Sequence, residues 1–146
     1  AGVGYSLDRQ EADLRRQRDS DATITNTGDR LIVSLPQNIL FASGSSTVQP
    51  SIRDDLQALA NNVQVYQNST LQIVGHTDSD GEAAFNQQLS EERAFVVSNI
   101  LIANGVPQGR LQAIGRGESQ PIATNLPPEG KAQNRRVDIV ILPNEV

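Results

Sequence analysis

The chain of 146 residues has no cysteine and a single histidine, His76. The first absence excludes a disulfide scaffold and a thiolate metal site. The second excludes a multi-histidine zinc centre. Three phenylalanines and two tyrosines are the only aromatics, too few for a base-stacking platform. Basic residues are outnumbered by acids, giving a net charge of −5, which argues against non-specific nucleic-acid binding. No apolar run exceeds four residues, whereas a membrane-spanning helix needs about twenty. The chain opens on Ala1 without methionine, as expected of a processed or trimmed piece whose signal peptide or lipid-bearing cysteine would lie upstream. What is present, 37 % hydrophobic and 20 % charged residues, fits one globular domain with a real core.

Residues 1–22 stand apart. After the glycine-rich opening Ala1-Gly2-Val3-Gly4, Arg9, Arg15, Arg16 and Arg18 alternate with five acids, and Leu7 and Leu14 are the only large apolar residues between Leu7 and Ser20. One seven-residue spacing does not define a core-facing stripe, so the expectation is a charged spacer, a solvated helix or frayed linker, ahead of a domain at 23–146. In Ala22–Ser34 two short strands flank the turn Asn26-Thr27-Gly28-Asp29, and Leu31, Val33 and Leu35 alternate. Ser43-Gly44-Ser45-Ser46 reads as a flexible loop.

Ile52, Leu56, Leu59, Val63 and Tyr66 recur at helical spacing behind Pro50, a residue suited to the first helical position, and predict a helix from Pro50 to about Gln67. Leu71–Thr77 is a mostly buried strand. A second helix is expected from about Glu91 to Asn104, with Ser90 as N-cap, Glu91 and Glu92 matching the helix dipole, Gly105 just past its end, and burial nearly all round. Leu111–Ile114 and Val137–Leu142 are further strands, separated by a long irregular stretch, Gly115 to Asn134, of the kind that often carries function. The mixture predicts an α+β domain in two layers, helices packed on one face of a mixed sheet.

Chemistry-bearing motifs fail one by one. A Ser-His-Asp site would need a positioned serine beside His76, and no G-x-S-x-G elbow occurs. Gly115-Arg116-Gly117 begins like a dinucleotide fingerprint but has Gln120 at the sixth place and no helix directly after. Asp78-Ser79-Asp80-Gly81 starts like a calcium loop, yet Leu89 occupies the position of the bidentate glutamate. Neither catalysis nor a metal or other cofactor is expected.

A charge constellation remains. Asp78 follows a strand end and Arg93 begins a helix, at the same edge of the sheet if those elements are antiparallel neighbours. Such a carboxylate and guanidinium, held apart and facing solvent, can grip a zwitterion, the acid taking an ammonium and the guanidinium a carboxylate. Read from the residues alone, the two more often pair with each other and fix a loop, as most surface ion pairs are only structural.

The ordered set Gly75-His76-Thr77-Asp78, Gly81, Asn86, Leu89-Ser90 and Arg93-Ala94 resembles the signature of the OmpA-like C-terminal domain, the periplasmic peptidoglycan-binding module also seen in peptidoglycan-associated lipoproteins and flagellar stator proteins. Leu40-Phe41 upstream, and Gly115, Gly117-Glu118, Pro121, Asn125, Gly130-Lys131 and Asn134-Arg135-Arg136-Val137 downstream, fit the same pattern, with lysine at 131 where arginine is commoner. The likeness covers roughly residues 31–142.

The resemblance implies an OmpA-like two-layer fold and non-covalent, non-enzymatic binding of peptidoglycan through the meso-diaminopimelate of its stem peptide. That residue's side-chain end carries an ammonium and a carboxylate on one carbon. Asp78 and Arg93 map to the clamp, and Phe41, Asn86, Leu89 and Arg136 to the pocket around it. Asn134 and Arg135 map either to ligand contact or to bracing of the long loop. The expected setting is the periplasm, with attachment to the outer membrane through an N-terminal region outside this chain, and a homodimer is a possible assembly. The glycine-rich opening is similar to one found in a group of outer-membrane lipoproteins. An envelope protein-interaction module on the same fold is the alternative.

Overall fold

A computed structural model describes residues 3–17, 22–42 and 45–144. The elements run α1 (Val3–Gln17), β1 (Thr23–Asn26), β2 (Leu31–Pro36), α2 (Gln37–Leu40), α3 (Pro50–Val65), β3 (Ser69–His76), α4 (Ala83–Ala103), a 3₁₀ turn at Gln108–Arg110, β4 (Leu111–Gly115), α5 (Pro128–Asn134) and β5 (Arg136–Pro143). One sheet forms in the order β1-β2-β5-β3-β4. β3 and β4 are parallel, joined by the crossover that contains α4; the other pairs are antiparallel.

Period-two alternation assigns the two faces. Leu31, Val33 and Leu35 of β2, Val137, Ile139 and Ile141 of β5, and Leu71 and Ile73 of β3 point to one side, where they meet Ile52, Leu56, Leu59 and Val63 of α3 and Ala94, Val97 and Leu101 of α4. This is the expected α+β architecture with helices on one face. Its contacts of long range also explain why α4 lies so close to β3: a Cβ on Gly75 would sit 2.1 Å from the Ser90 carbonyl oxygen, so only glycine admits the helix there.

Several local expectations change. Helix α4 starts at Ala83, eight residues before Glu91. Ser90 is therefore inside the helix and not its cap; its Oγ donates to the Gln87 carbonyl (2.8 Å) and accepts from the Gly117 N–H (2.9 Å). Glu91 and Glu92 stand mid-helix, where dipole matching does not act. Phe95 is 59 % exposed, so the helix is buried on one side only. At the other end Gly105 has φ +104° and its N–H reaches the Ile102 carbonyl, the expected stop. The long stretch after β4 contains α5.

Residues 3–17 form a helix that is docked, not solvated. Leu7 and Leu14 are buried beneath it together with Gln10, whose amide donates to Asn62 Oδ1 of α3 (2.9 Å). Tyr66 donates to Asp13 Oδ2 (2.5 Å), and Arg15 to the Ile24 carbonyl (2.8 Å). The spacing of seven, two turns of helix, is short but sufficient because α3 and β1 supply the opposing apolar wall. Ala1, Gly2, the spacer residues 18–21 and positions 43–44 of the expected loop lie outside the described residues.

Candidate functional site

The C-terminal end of β3, the middle of α4, the α2 corner and the entry to β5 converge. The Thr77 N–H donates to the Gly117 carbonyl (2.9 Å), which ties the end of β3 to the loop after β4 and presents Asp78 beyond the sheet. Asn86, Leu89 and Arg93 recur at spacings of three and four and so share a side of α4.

Arg93 is 6 % exposed. Its guanidinium carbon lies 4.8 Å from the centroid of the Phe41 ring, a cation–π contact. Nη1 donates to Gln37 Oε1 and Nη2 to the Ser45 carbonyl (2.9 Å). Nε is buried with no hydrogen-bond partner, and among the described residues no carboxylate lies within salt-bridge distance. Burial lowers the pKa of the group, but a guanidinium stays charged in proteins. A cation is thus held among neutral oxygens and an aromatic face.

Asp78 is 7 % exposed. Its Oδ1 accepts the Asp80 N–H (2.9 Å) and its Oδ2 accepts Arg135 Nη1 (2.5 Å). Asp78 and Arg93 therefore do not pair with one another. They belong to one network, because the Gln37 N–H donates to the Arg135 carbonyl (3.0 Å) while its side chain accepts from Arg93. Nor do both groups face open solvent, as the sequence suggested: each is more than nine-tenths buried, and the exposed member is Arg135, whose side chain is 35 % accessible.

Phe41 forms the floor under Arg93. Asn86 is buried; its Nδ2 donates to the Asp80 carbonyl at 2.9 Å and makes longer contacts, 3.4 Å each, to the Asp78 carbonyl and Glu118 Oε1. It thereby fixes the loop that carries Asp78. Leu89, half-buried, lines a shallow groove of about 250 Å³ with Ser45, Ser46, Phe85, Gln88 and Glu92, next to the Ser45 carbonyl that Arg93 holds.

Arg136 is brought to a different cluster. Its Nε donates to Asp138 Oδ2 (3.1 Å), Nη1 to the Asn134 carbonyl (3.1 Å) and Nη2 to the Gln120 carbonyl (3.3 Å). His76 Nε2 lies 3.5 Å from the same Asp138 oxygen. Burial, together with the positive charges of Arg136 and Arg116, pushes the His76 pKa down to about 4, against the opposing pull of Asp138. Asn134, fully buried, spends its side chain on the long loop: Oδ1 accepts the Ile122 and Ala123 N–H groups, and Nδ2 donates to the Ala123 carbonyl and Asn125 Oδ1. Gln37 and Ser45 were not visible in the sequence as site residues. They lie 56 and 48 residues from Arg93, and no local signal marks them.

The two-layer α+β fold and this corner of buried opposite charges define a class of domain. The model of the OmpA family matches residues 40–135, and the chain belongs to that family. It is 41 % identical over 143 residues to the "Probable lipoprotein YiaD" of Escherichia coli (strain K12), covering 97 % of this chain and 65 % of that protein. It is 35 % identical over 103 residues to the "Peptidoglycan-binding protein ArfA" of Mycobacterium tuberculosis (strain ATCC 25618 / H37Rv), covering 70 % of this chain and 32 % of ArfA. The chain thus spans a little under two thirds of the first relative and a third of the second. Among solved structures, the cell wall anchor of the T6SS from Pseudomonas aeruginosa superposes with a TM-score of 0.77 at 30 % identity, covering 98 % of each chain.

Proposed function

We propose that this domain binds peptidoglycan non-covalently in the bacterial envelope and grips the zwitterionic end of the stem-peptide diaminopimelate between Asp78 and Arg93. The observation that carries the reading is Arg93: a guanidinium more than nine-tenths buried that, among the described residues, has no carboxylate within salt-bridge distance and keeps Nε unpartnered. A buried cation of this kind is costly unless an anion completes it, and a ligand carboxylate would do so. The ligand ammonium would replace the accessible Arg135 on Asp78 Oδ2. Phe41, Asn86 and Leu89 would support the pocket, and Arg136 would act at one remove, through the loop it holds. The names of the relatives, a peptidoglycan-binding protein and a cell wall anchor, support the same class of ligand.

No bond needs to break, and the role is that of a tether without catalysis. Each charge-assisted hydrogen bond contributes on the order of 1.5–3 kcal/mol, so one site binds weakly and the repeating polymer supplies avidity. In this reading residues 23–146 are the periplasmic wall-binding unit, and residues 1–22 lead toward an outer-membrane anchor, with α1 held against the unit.

A second reading, an envelope protein-interaction module, is favoured by one observation: Asp78 already has a cationic partner in Arg135. Co-sedimentation with purified sacculi separates the two. Asp78→Ala and Arg93→Ala should each abolish binding while the domain stays folded. Normal binding by both folded variants overturns the assigned clamp, and absence of binding by the unaltered chain favours the second reading.

A further inference from the structure

The strand order leaves β1 and β4 as the two edges of the sheet. The β1 edge is covered: Arg15 of α1 donates to the Ile24 carbonyl, and Asp8 and Glu11 accept from Asn26. Among the described residues no strand pairs with the β4 edge. The Arg116 N–H donates to the Gly75 carbonyl (3.0 Å), and in a parallel ladder alternate residues address the same neighbour. Gln112, Ile114 and Arg116 therefore turn their amides toward β3, and Leu111, Ala113 and Gly115 turn theirs outward. The Gly115 carbonyl is taken by Gln87 Nε2 (2.6 Å). Ala113, an exposed residue, thus has its N–H and C=O on the side away from β3, and among the described residues no hydrogen bond takes them up. Nothing in Leu111-Gln112-Ala113-Ile114-Gly115 blunts this edge: it holds no charge, no proline and no bulge.

Beside this edge runs a groove of about 620 Å³ between β4 and α4. The small side chain of Ala113 leaves it room, and Gly115 closes its end against α4, where a Cβ would meet the Glu91 backbone nitrogen at 2.5 Å. Phe95 stands over the groove, 59 % exposed, and Glu91 and Glu92 complete the α4 wall. Arg110, at the start of β4, does not offset these acids, since its guanidinium is spent on Val63, Tyr66 and Ser69.

We infer that this edge is a docking site for an extended, basic segment of a partner protein, which adds to the sheet as a sixth strand. Its backbone would pair with Ala113 and its neighbours, an apolar side chain would pack on Phe95, and flanking lysine or arginine would meet Glu91 and Glu92. This is recognition by strand addition, with main-chain bonds for affinity and alternate side chains for specificity. A second copy of the chain is the poorer occupant, because symmetric β4 pairing would set two α4 helices side by side with their glutamates opposed and join two chains of net charge −5. Phe95 and Glu91 lie on the opposite side of α4 from Arg93, whereas Glu92 stands between this surface and the groove beside Leu89.

The test is a titration of the ¹⁵N-labelled chain with an acetylated, amidated heptapeptide of alternating lysine and valine. The Ala113 and Gly115 amides should shift saturably and exchange more slowly with solvent. Phe95→Ala, or Glu91→Lys, should weaken binding about tenfold or more while sacculus binding is unchanged. The same peptide with glutamate for lysine, or with N-methylated valines, should not bind. Amides of β4 that stay still at millimolar peptide, shifts centred elsewhere, or equal binding of the glutamate peptide would overturn the inference. Shifts at Ala113 that follow chain concentration without peptide would overturn it in favour of self-pairing.

Discussion

Replacing Arg93 by methionine tests whether the guanidinium is kept for a ligand or for the fold. The side chain is 6 % exposed, and among the described residues no carboxylate lies within salt-bridge distance, Glu92 acting on it only from farther away. Removing it relieves a desolvation penalty that reaches several kcal/mol for a buried ion. Against this stand the bonds to Gln37 and Ser45, about 1.5–3 kcal/mol each for charged donors, and the contact with Phe41, about 1–2 kcal/mol. Gln37 and Ser45 are only half-buried, so their oxygens regain water in the variant. Methionine fills comparable volume and its sulfur packs well on an aromatic ring. The opposing contributions are of similar size, and Arg93→Met should change unfolding free energy by no more than about 1 kcal/mol. Urea unfolding would show this as a small midpoint shift at constant slope, with sacculus binding lost. A loss of stability above about 3 kcal/mol, or retained binding in a folded variant, would refute the reasoning.

Two further perturbations probe the frame of the site. Leu7→Ala should cost about 2–4 kcal/mol in urea unfolding, since Leu7 is 1 % exposed between α1 and the body of the domain; a cost below about 0.5 kcal/mol would show that α1 does not dock. His76 is held neutral in the fold, with a pKa of about 4 against 6.5 when unperturbed. The unfolded chain therefore takes up the proton first, and this contribution to stability is complete above about pH 6.5 and is lost as pH falls toward 4, by up to about 3 kcal/mol. Urea unfolding across that interval should show the decline, and His76→Gln should flatten it; stability that rises as pH falls from 6.5 to 4 would contradict the assignment.

What the sequence made legible follows the range of the interactions. Alternation in Leu31, Val33 and Leu35, the helical period of Ile52 to Val63, and the stop at Gly105 are local, and the sheet, α3 and the end of α4 follow from them. The start of α4 was misplaced because Ser90 has the chemistry of a cap, whereas its hydroxyl serves Gly117 across the fold. The docking of α1 was missed because two leucines form a stripe only once α3 and β1 provide a wall. At the site, the motif spacing brought out Asp78, Arg93 and Asn86, which share one corner. It could not show that Asp78 meets Arg135, that Arg93 rests on Gln37 and Ser45, or that Arg136 turns to His76 and Asp138. Those contacts depend on how the chain returns to the same place after some 50 residues.

The most direct measurement of the proposed grip is the ¹H–¹⁵N signal of Arg93 Nε, the buried donor that has no partner among the described residues. On titration with a stem tripeptide ending in meso-diaminopimelate, this signal should move downfield and its exchange with water should slow, saturating together with the Asp78 amide. If the Arg93 Nε signal stays fixed while the chain is shown to be saturated with the tripeptide, the ligand carboxylate does not meet Arg93, and the account of the site is wrong.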